Sequence, residues 1–550
     1  MRAVRARTIE VASVCAVAIG LSVVMTWPLA AGLGTLGRTN TGDGLFSIWC
    51  VAWVARAIAT DPFNLFDANI FFPHKATLAY SEANFFPGLL AVPAWLATEN
   101  PYFAHNVVVL IAFALSVAGG YVLARYLTGS RLAAFSAGIA FAFCPFVFAR
   151  TAHMQLLMSA GLPWTMWAFH RFVDAPSVGR SLTLGLVLTL QALSCAYYGV
   201  FVAMLVGLGT FWFAITRGWW RAPRYWALVA LAAVVSLALV FPFFKPFLDV
   251  QTELGFSRSL EDASMYSADW RAWVVSAAWA HRWLLPMLGT WNEVLFPGAI
   301  ALVLGAYGLW RVTRRGDEGG GARDIAGYYL FVAIVAFWAS FGPALGLYTV
   351  LFKTIPVFSF LRAPARFGIL VLLALVVGMA FAIARLSRST FGWRRTLLRA
   401  TPVLLVAELA TFPISLRTAA PVNPAYRMLA NLPAGVVVEF PFFYRRTDFP
   451  RHAEYMVNST YHWRPMVNGY SDHIPQDFRD MVIPLSSFPT RESFAILEQR
   501  RARYAVFTLN GYDRRSREKL LDRIEQYREY LHPLSRENDV WLFEIVAWPR

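Results

Sequence analysis

Residues 38–49, RTNTGDGLFSIW, set one carboxylate, Asp43, between two glycines and ahead of an aromatic run, where the chain leaves its first apolar segment. A carboxylate in such a place can take the proton of a hydroxyl as its oxygen attacks an electrophile, and a well-placed base contributes on the order of 10²–10⁴-fold. Aspartate in TGDG is equally a good turn residue and a good N-cap for a helix over 44–59. The two uses are compatible. Gly42 and Gly44 would let the backbone come close to a substrate. Glu82, in AYSEANFF, is the next acid: carboxylates in an apolar loop are costly to bury, so it either holds substrate hydroxyls, assists Asp43 or stays solvated. Asp61 and Asp67, in TDPFNLFDAN, read as turn and cap residues.

Cationic and polar side chains recur at segment ends. RTAHMQLL, 150–157, supplies Arg150, His153 and Gln155; FFKPFLDVQTELGFSRS supplies Lys245 and Arg258; FLRAPARFG supplies Arg362 and Arg366. Cationic donors of this kind stabilise the negative charge that grows on a phosphate leaving group. Each also has a plainer reading. His153 can be satisfied by backbone, Gln155 can cap a helix, and the Arg362/Arg366 pair can form salt bridges or meet lipid headgroups. Pro364 between those two arginines disfavours a regular helix before it. Tyr266, Asp269 and Trp270, in YSADW, can shape the acceptor side.

The elements that must position these residues are mostly membrane spans. The chain is 57% hydrophobic and only 15% charged, against roughly a quarter charged in soluble domains, which makes it an integral membrane protein. The net charge of +16 does not indicate nucleic acid, because the arginines cluster in short stretches between apolar runs and read as topology determinants. Cys15, Cys50, Cys144 and Cys195 show no CxxC spacing and read as small core residues. The basic flank and apolar run at the amino end predict an uncleaved first span with its start in the cytoplasm. Further spans are expected near 102–124, 132–149, 156–170, 181–197, 199–216, 226–243, 292–310, 326–345, 367–384 and 401–415, about eleven in all. Arginine-rich connections, including the flexible loop 314–324, face the cytoplasm; the aromatic and proline-rich ones, 35–100, 244–290 and 343–366, face outward.

Two domains follow from this pattern: a transmembrane domain over 1–415 that carries the external loop 35–100, and a soluble extracytoplasmic α/β domain over 416–550. In the latter GVVVEFPFF, YAVFTLNGY and VWLFEIVAW read as buried strands, and 490–503 and 514–530 as helices. EFPFFYRRTDF and VNGYSDHIP either pack within this domain or contact an acceptor. In the first loop, 44–59 reads as a helix lying in the interface, with Trp49 and Trp53 at headgroup depth, and 85–97 as a second such helix or a re-entrant piece.

An acid just after the first span, interfacial helices in the first external loop, about eleven spans and an outer C-terminal domain together resemble the GT-C superfamily of integral-membrane glycosyltransferases. The wording GDGLFSIWCVAW, DPFNLFDANIFFPH, LAYSEANFFPG, AHMQLL, LPWTMWAFHRF and FSFLRAPARFG is similar to that of bacterial polytopic membrane proteins of the GT-C or YfhO-like type. The resemblance covers the membrane part well and the tail more loosely. It implies that Asp43 is the catalytic base, activating an acceptor hydroxyl that displaces a polyprenyl phosphate from a sugar. No P-loop, dinucleotide fingerprint, HExxH or DxD motif is present, which favours a lipid-linked donor over a nucleotide sugar.

The expected activity is transfer of a sugar from a polyprenyl-phosphate donor to an envelope glycan, lipid or protein. It takes place on the extracytoplasmic face of a bacterial inner membrane. Membrane lipids are the other partner, and no nucleic acid is involved. No cofactor is expected; Asp43 and Glu82 could hold a divalent cation with water ligands, but a metal-free base is favoured. The competing class is a non-enzymatic transporter, flippase or assembly factor for lipid-linked glycans. A transporter should carry ionisable residues deep in its spans, whereas here the polar residues gather at the outer ends.

Overall fold

The computed structural model describes residues 2–39, 42–255, 258–289, 293–314, 320–388 and 392–550, so most of the flexible loop expected at 314–324 lies outside the described residues. The chain forms two compact units. The first comprises Met1–Ala31, Val108–Lys245 and Gln251–Ile414; the second comprises Gly32–Val107, Pro246–Val250 and Ser415–Arg550. The external loop 35–100 is thus in one unit with the C-terminal segment.

Each of the eleven expected span segments contains a helix: Arg2–Met25, Pro101–Thr128, Arg131–Ala142, Gly161–Asp174, Val178–Ser194, Ala196–Thr216, Pro223–Leu254, Ala299–Arg314, Gly320–Ser340, Gly368–Leu386 and Gly392–Leu409. Among the described residues eight helical stretches are long and apolar enough to cross a membrane, and seven of these coincide with the expected spans. The eighth is Gly42–Thr60. Gly161–Asp174 has 14 residues, about 21 Å of helix, short of a hydrocarbon core of roughly 30 Å.

In the first unit the helix Gly368–Leu386 is buried along nearly its whole length. It meets Ala299–Arg314 backbone to backbone. A Cβ on Gly308 would lie 1.9 Å from the Gly378 carbonyl oxygen, and one on Gly378 would lie 2.3 Å from that of Gly305. Small residues at such crossings are what allow membrane helices to pack closely. Gly308→Val is therefore expected to cost at least the ~1–3 kcal/mol typical of overpacking. The measurement is the yield of monodisperse protein in detergent, and a yield equal to that of the native chain would contradict the close packing.

The second unit contains a four-stranded sheet in the order Val436–Phe440, Ala502–Thr508, Val540–Ile545, Leu531–Glu537; the first pair is parallel and the others antiparallel. Three of these strands are the three expected ones. The fourth, Leu531–Glu537, escapes sequence reading because it is an edge strand, interrupted by Pro533 and a bulge and largely exposed, so it lacks the apolar alternation of a buried strand. The helices expected at 490–503 and 514–530 are Arg491–Gln499 and Arg514–Gln526. One face of the sheet packs Val437, Tyr504, Val506 and Leu542 against Tyr426, Leu429, Tyr455 and Met466. The other stacks Phe440 on Phe488 and Phe507, with ring centroids 4.6 and 5.2 Å apart.

The expectation for Trp49 and Trp53 is corrected. Both are buried inside this unit: Trp49 donates to Asn69 Oδ1 at 3.3 Å, and Trp53 donates to the Leu65 carbonyl at 2.9 Å and packs on Trp463. A buried indole N–H needs an acceptor, and the folded loop supplies one to each ring in place of lipid headgroups. The second short helix of the loop is Phe85–Thr98, whose Gly88 abuts Val54, where a Cβ would lie 2.3 Å from a valine methyl. Cys50, Cys144 and Cys195 are buried free thiols, whereas Cys15 is exposed.

Buried titratable groups give the second unit a defined pH response. Glu439 is fully buried and accepts a hydrogen bond from Tyr426 at 2.9 Å, and burial pushes its carboxyl well above the usual range of about 4.5. Burial pushes His452 and His462 down from 6.5 to about 3. The histidine contributions are complete above pH 6.5 and lost as pH falls; that of Glu439 is complete below pH 4.5 and lost as pH rises. Each changes stability by at most about 1.4 kcal/mol per pH unit. Between pH 4.5 and 6.5 two histidine slopes outweigh one carboxyl slope, and above 6.5 only the carboxyl slope remains. Thermal unfolding of the full chain should show a maximum near pH 6.5, and Glu439→Gln should flatten its alkaline side. A melting temperature that climbs steadily from pH 6.5 to 9 would contradict this.

Candidate active site

In the second unit Asp43 lies in the first turn of the helix Gly42–Thr60, where the positive end of the helix dipole favours a carboxylate. The helix Gly42–Thr60 includes Asp43 in its first turn, so Asp43 does not cap a helix starting at Gly44. Tyr470 donates from its hydroxyl to Asp43 Oδ1 at 3.0 Å, and the Tyr470 ring meets Phe46 edge-on, 6.3 Å between centroids. The reading of Gly42 as room for substrate is also corrected. A Cβ there would lie 2.3 Å from Pro450 Cβ and 2.9 Å from the Pro450 carbonyl oxygen, so the glycine serves packing.

Two helical turns beyond Asp43, about 10 Å along the axis, the Cys50 thiol faces the Ala83 carbonyl at 3.4 Å and the Asn84 amide at 3.5 Å. Glu82 is half-buried in that same backbone segment. Loop and tail share backbone hydrogen bonds: Phe71 N to Asn468 O, Phe72 N to Met466 O and Met466 N to Asn69 O, at 2.8–3.0 Å. His74 meets both Asp477 carboxylate oxygens at 2.9 Å, and Ser81 donates to Asp472 at 3.1 Å. Asp61 and Asp67 serve turns as expected, Asp61 accepting from the Asn64 amide and Asp67 from the Ala76 backbone N–H at 2.8 Å.

The first unit holds the other predicted residues. Arg150 is ion-paired with Glu293 in a largely buried setting and lies over the Phe146 ring at 5.2 Å. Glu293 neutralises a charge that sequence alone offered to a phosphate. Arg362 lies over Tyr266 at 5.2 Å and Arg366 over Tyr197 at 4.5 Å. The Tyr197 hydroxyl accepts the Ala363 N–H at 2.8 Å, tying the arginine segment to the start of the helix Ala196–Thr216. Asp262 is held below the usual carboxylate range, first by the Ser259 backbone N–H and then by nearby Arg258 and Arg362. Arg362 and Arg366 thus each lie on a tyrosine ring, and Arg150 is held by Glu293 and Phe146.

Pro364 acts as expected: Pro364–Phe367 is a 3-10 turn, the α-helix starts at Gly368, and Arg362 precedes both. His153 is half-buried just before the one-turn helix Met154–Leu157 and its side chain makes no cap. Gln155 is half-buried within that turn. Lys245 is exposed on the helix Pro223–Leu254. Asp269 accepts the Ala272 N–H at 3.0 Å and pairs with Arg271, so it is a local cap, and Trp270 is exposed. Among the described residues no group of three or more His, Cys, Asp or Glu side chains is placed to hold a metal ion.

Sequence reasoning missed Glu293, Tyr470 and Tyr197. Glu293 had a signal, an isolated acid opening the apolar run EVLFPGAIALVL. Tyr470 had none beyond its place in VNGYSDHIP, because its partner is 427 residues away in the chain.

No family model matches the chain, and no curated protein matches it in sequence. Solved structures do. The mycobacterial arabinofuranosyltransferase AftD aligns with 97% of this chain and 41% of its own, at a TM-score of 0.58 and 16% identity. The Archaeoglobus fulgidus oligosaccharyltransferase, in its complex with Zn and sulfate, aligns with 97% of this chain and 73% of its own, at 0.51 and 13% identity; its apo form gives 0.50 over 95% of this chain and 72% of its own. With identities this low the likeness is one of fold, and it runs almost end to end: the polypeptide shares the fold of these two transferases, in keeping with the GT-C-like architecture expected from its sequence.

Proposed function

We propose that this protein is a membrane glycosyltransferase. It moves a sugar from a polyprenyl-phosphate donor to a glycan, lipid or protein of the cell envelope, on the extracytoplasmic face of a bacterial inner membrane. The observation that carries the reading is the GT-C fold along nearly the whole chain, with an acid, Asp43, opening the helix that follows the first span. An acceptor hydroxyl is a poor nucleophile until a base takes its proton as the new bond forms, and Asp43 is that base. Arg362 and Arg366, which lie over Tyr266 and Tyr197, suit the phosphate that leaves. Glu82, His153, Gln155 and Lys245 complete the proposed substrate contacts. The base works without a metal ion.

The test is envelope glycan and glycolipid analysis of a deletion strain complemented with the native chain or with Asp43→Asn. Deletion should remove a defined glycan, the native chain should restore it, and the variant, expressed normally, should not. If deletion changes no glycan, the reading fails. Glycan formation by isolated membranes should also survive EDTA; its loss, with recovery on adding a divalent cation, would replace the metal-free base.

A further inference from the structure

The C-terminal segment reaches Asp43 along a well-defined route. The Asn468 side chain accepts the Glu439 backbone N–H at 2.7 Å and donates to the Glu439 carbonyl at 2.9 Å, bracketing the strand Val436–Phe440. Val467 N donates to Val437 O and Val437 N to Pro465 O, both at 2.9 Å. Gly469 lies flat on the Phe71 ring, where a Cβ would meet ring carbons at 2.8 Å. The backbone is therefore held by sheet and first loop until one residue before Tyr470. The half-buried phenol, its ring against Phe46, then donates to Asp43 Oδ1.

We infer that Tyr470 is a positioning residue for Asp43, which makes the C-terminal segment part of the catalytic apparatus. The inference rests on the reading of Asp43 as the base. A phenol remains a donor at neutral pH, and its bond to an ionised carboxylate is charge-assisted, short and directional. It sets the plane of the carboxylate and stabilises its charged form, which can accept a proton. An ionised carboxylate offers about four lone-pair sites, so one phenol does not exhaust its capacity to accept.

The test uses the full chain in lipid nanodiscs with 3-fluorotyrosine at position 470, read by fluorine NMR. The resonance should move on Asp43→Asn. An unchanged resonance overturns the inference, whatever the protein's activity. Membranes from complemented cells supply the second reading. Tyr470→Phe keeps the ring on Phe46 and should lower the rate of glycan formation about tenfold. It should also move the acid limb of the pH profile up by about one unit, because the carboxylate loses a donor to its charged form. The fluorinated tyrosine, a more acidic phenol, should move that limb down, and it tests the same bond if the phenylalanine variant folds poorly. Native rate and profile in these variants overturn the positioning role. A resonance that responds to an Asp43→Asn variant which still restores every glycan overturns the base assignment and, with it, the catalytic role of Tyr470.

Discussion

Cells whose only copy carries Asp43→Asn should form the dependent glycan on the order of 10²–10⁴-fold more slowly than cells with the native chain, the usual contribution of a positioned general base. Asparagine has the size of aspartate, and its amide oxygen can still accept the Tyr470 hydrogen bond, so the packing at Phe46 and Pro450 survives. What the substitution removes is the ability to take a proton. Asp43→Glu keeps that ability but extends the side chain by one methylene, and should recover part of the lost rate. The comparison needs equal membrane levels of each variant, checked by immunoblot, before glycans are quantified. Full restoration by the asparagine variant would end the assignment.

The second large effect is on folding. Arg150 and Glu293 form a largely buried ion pair, and deleting one partner of such a pair typically costs about 3–5 kcal/mol because the other charge is left uncompensated. Glu293→Ala should therefore sharply lower the amount of folded protein recovered in detergent. The double variant Arg150→Met, Glu293→Leu removes both charges and should recover most of that amount, since apolar replacement of a buried pair is often neutral. It also separates two jobs of Arg150. If the arginine serves phosphate as well as Glu293, the double variant folds but makes little glycan. Native levels of both folded protein and glycan would show that the pair is structural only.

How much of this was legible in the sequence depends on the range of the interaction. Long apolar runs must be helical in a bilayer because each backbone group has to be satisfied within its own segment; all eleven expected segments hold helices, and seven of these are long and apolar enough to cross. The turn roles of Asp61 and Asp67 are local hydrogen bonds across three and nine residues, and they too were readable. Trp49 and Trp53 were misread because an indole suits a headgroup region and a protein interior equally, and only the folded loop supplies Asn69 and the Leu65 carbonyl. Gly42 was misread for a related reason: a glycine reports that something lies close to the backbone, but not that it is Pro450.

The sequence by itself determined the membrane class, the order of helices, three of the four strands of the tail, and the candidacy of Asp43. These depend on composition, periodicity and near neighbours, which any stretch of chain carries with it. Only the tertiary structure decided which group each candidate meets: Tyr470 on Asp43, Glu293 on Arg150, Tyr266 under Arg362 and Tyr197 under Arg366. Such pairings join residues far apart in the chain. Nothing in the local pattern at either end names the other, because the contact exists only once the intervening chain has folded.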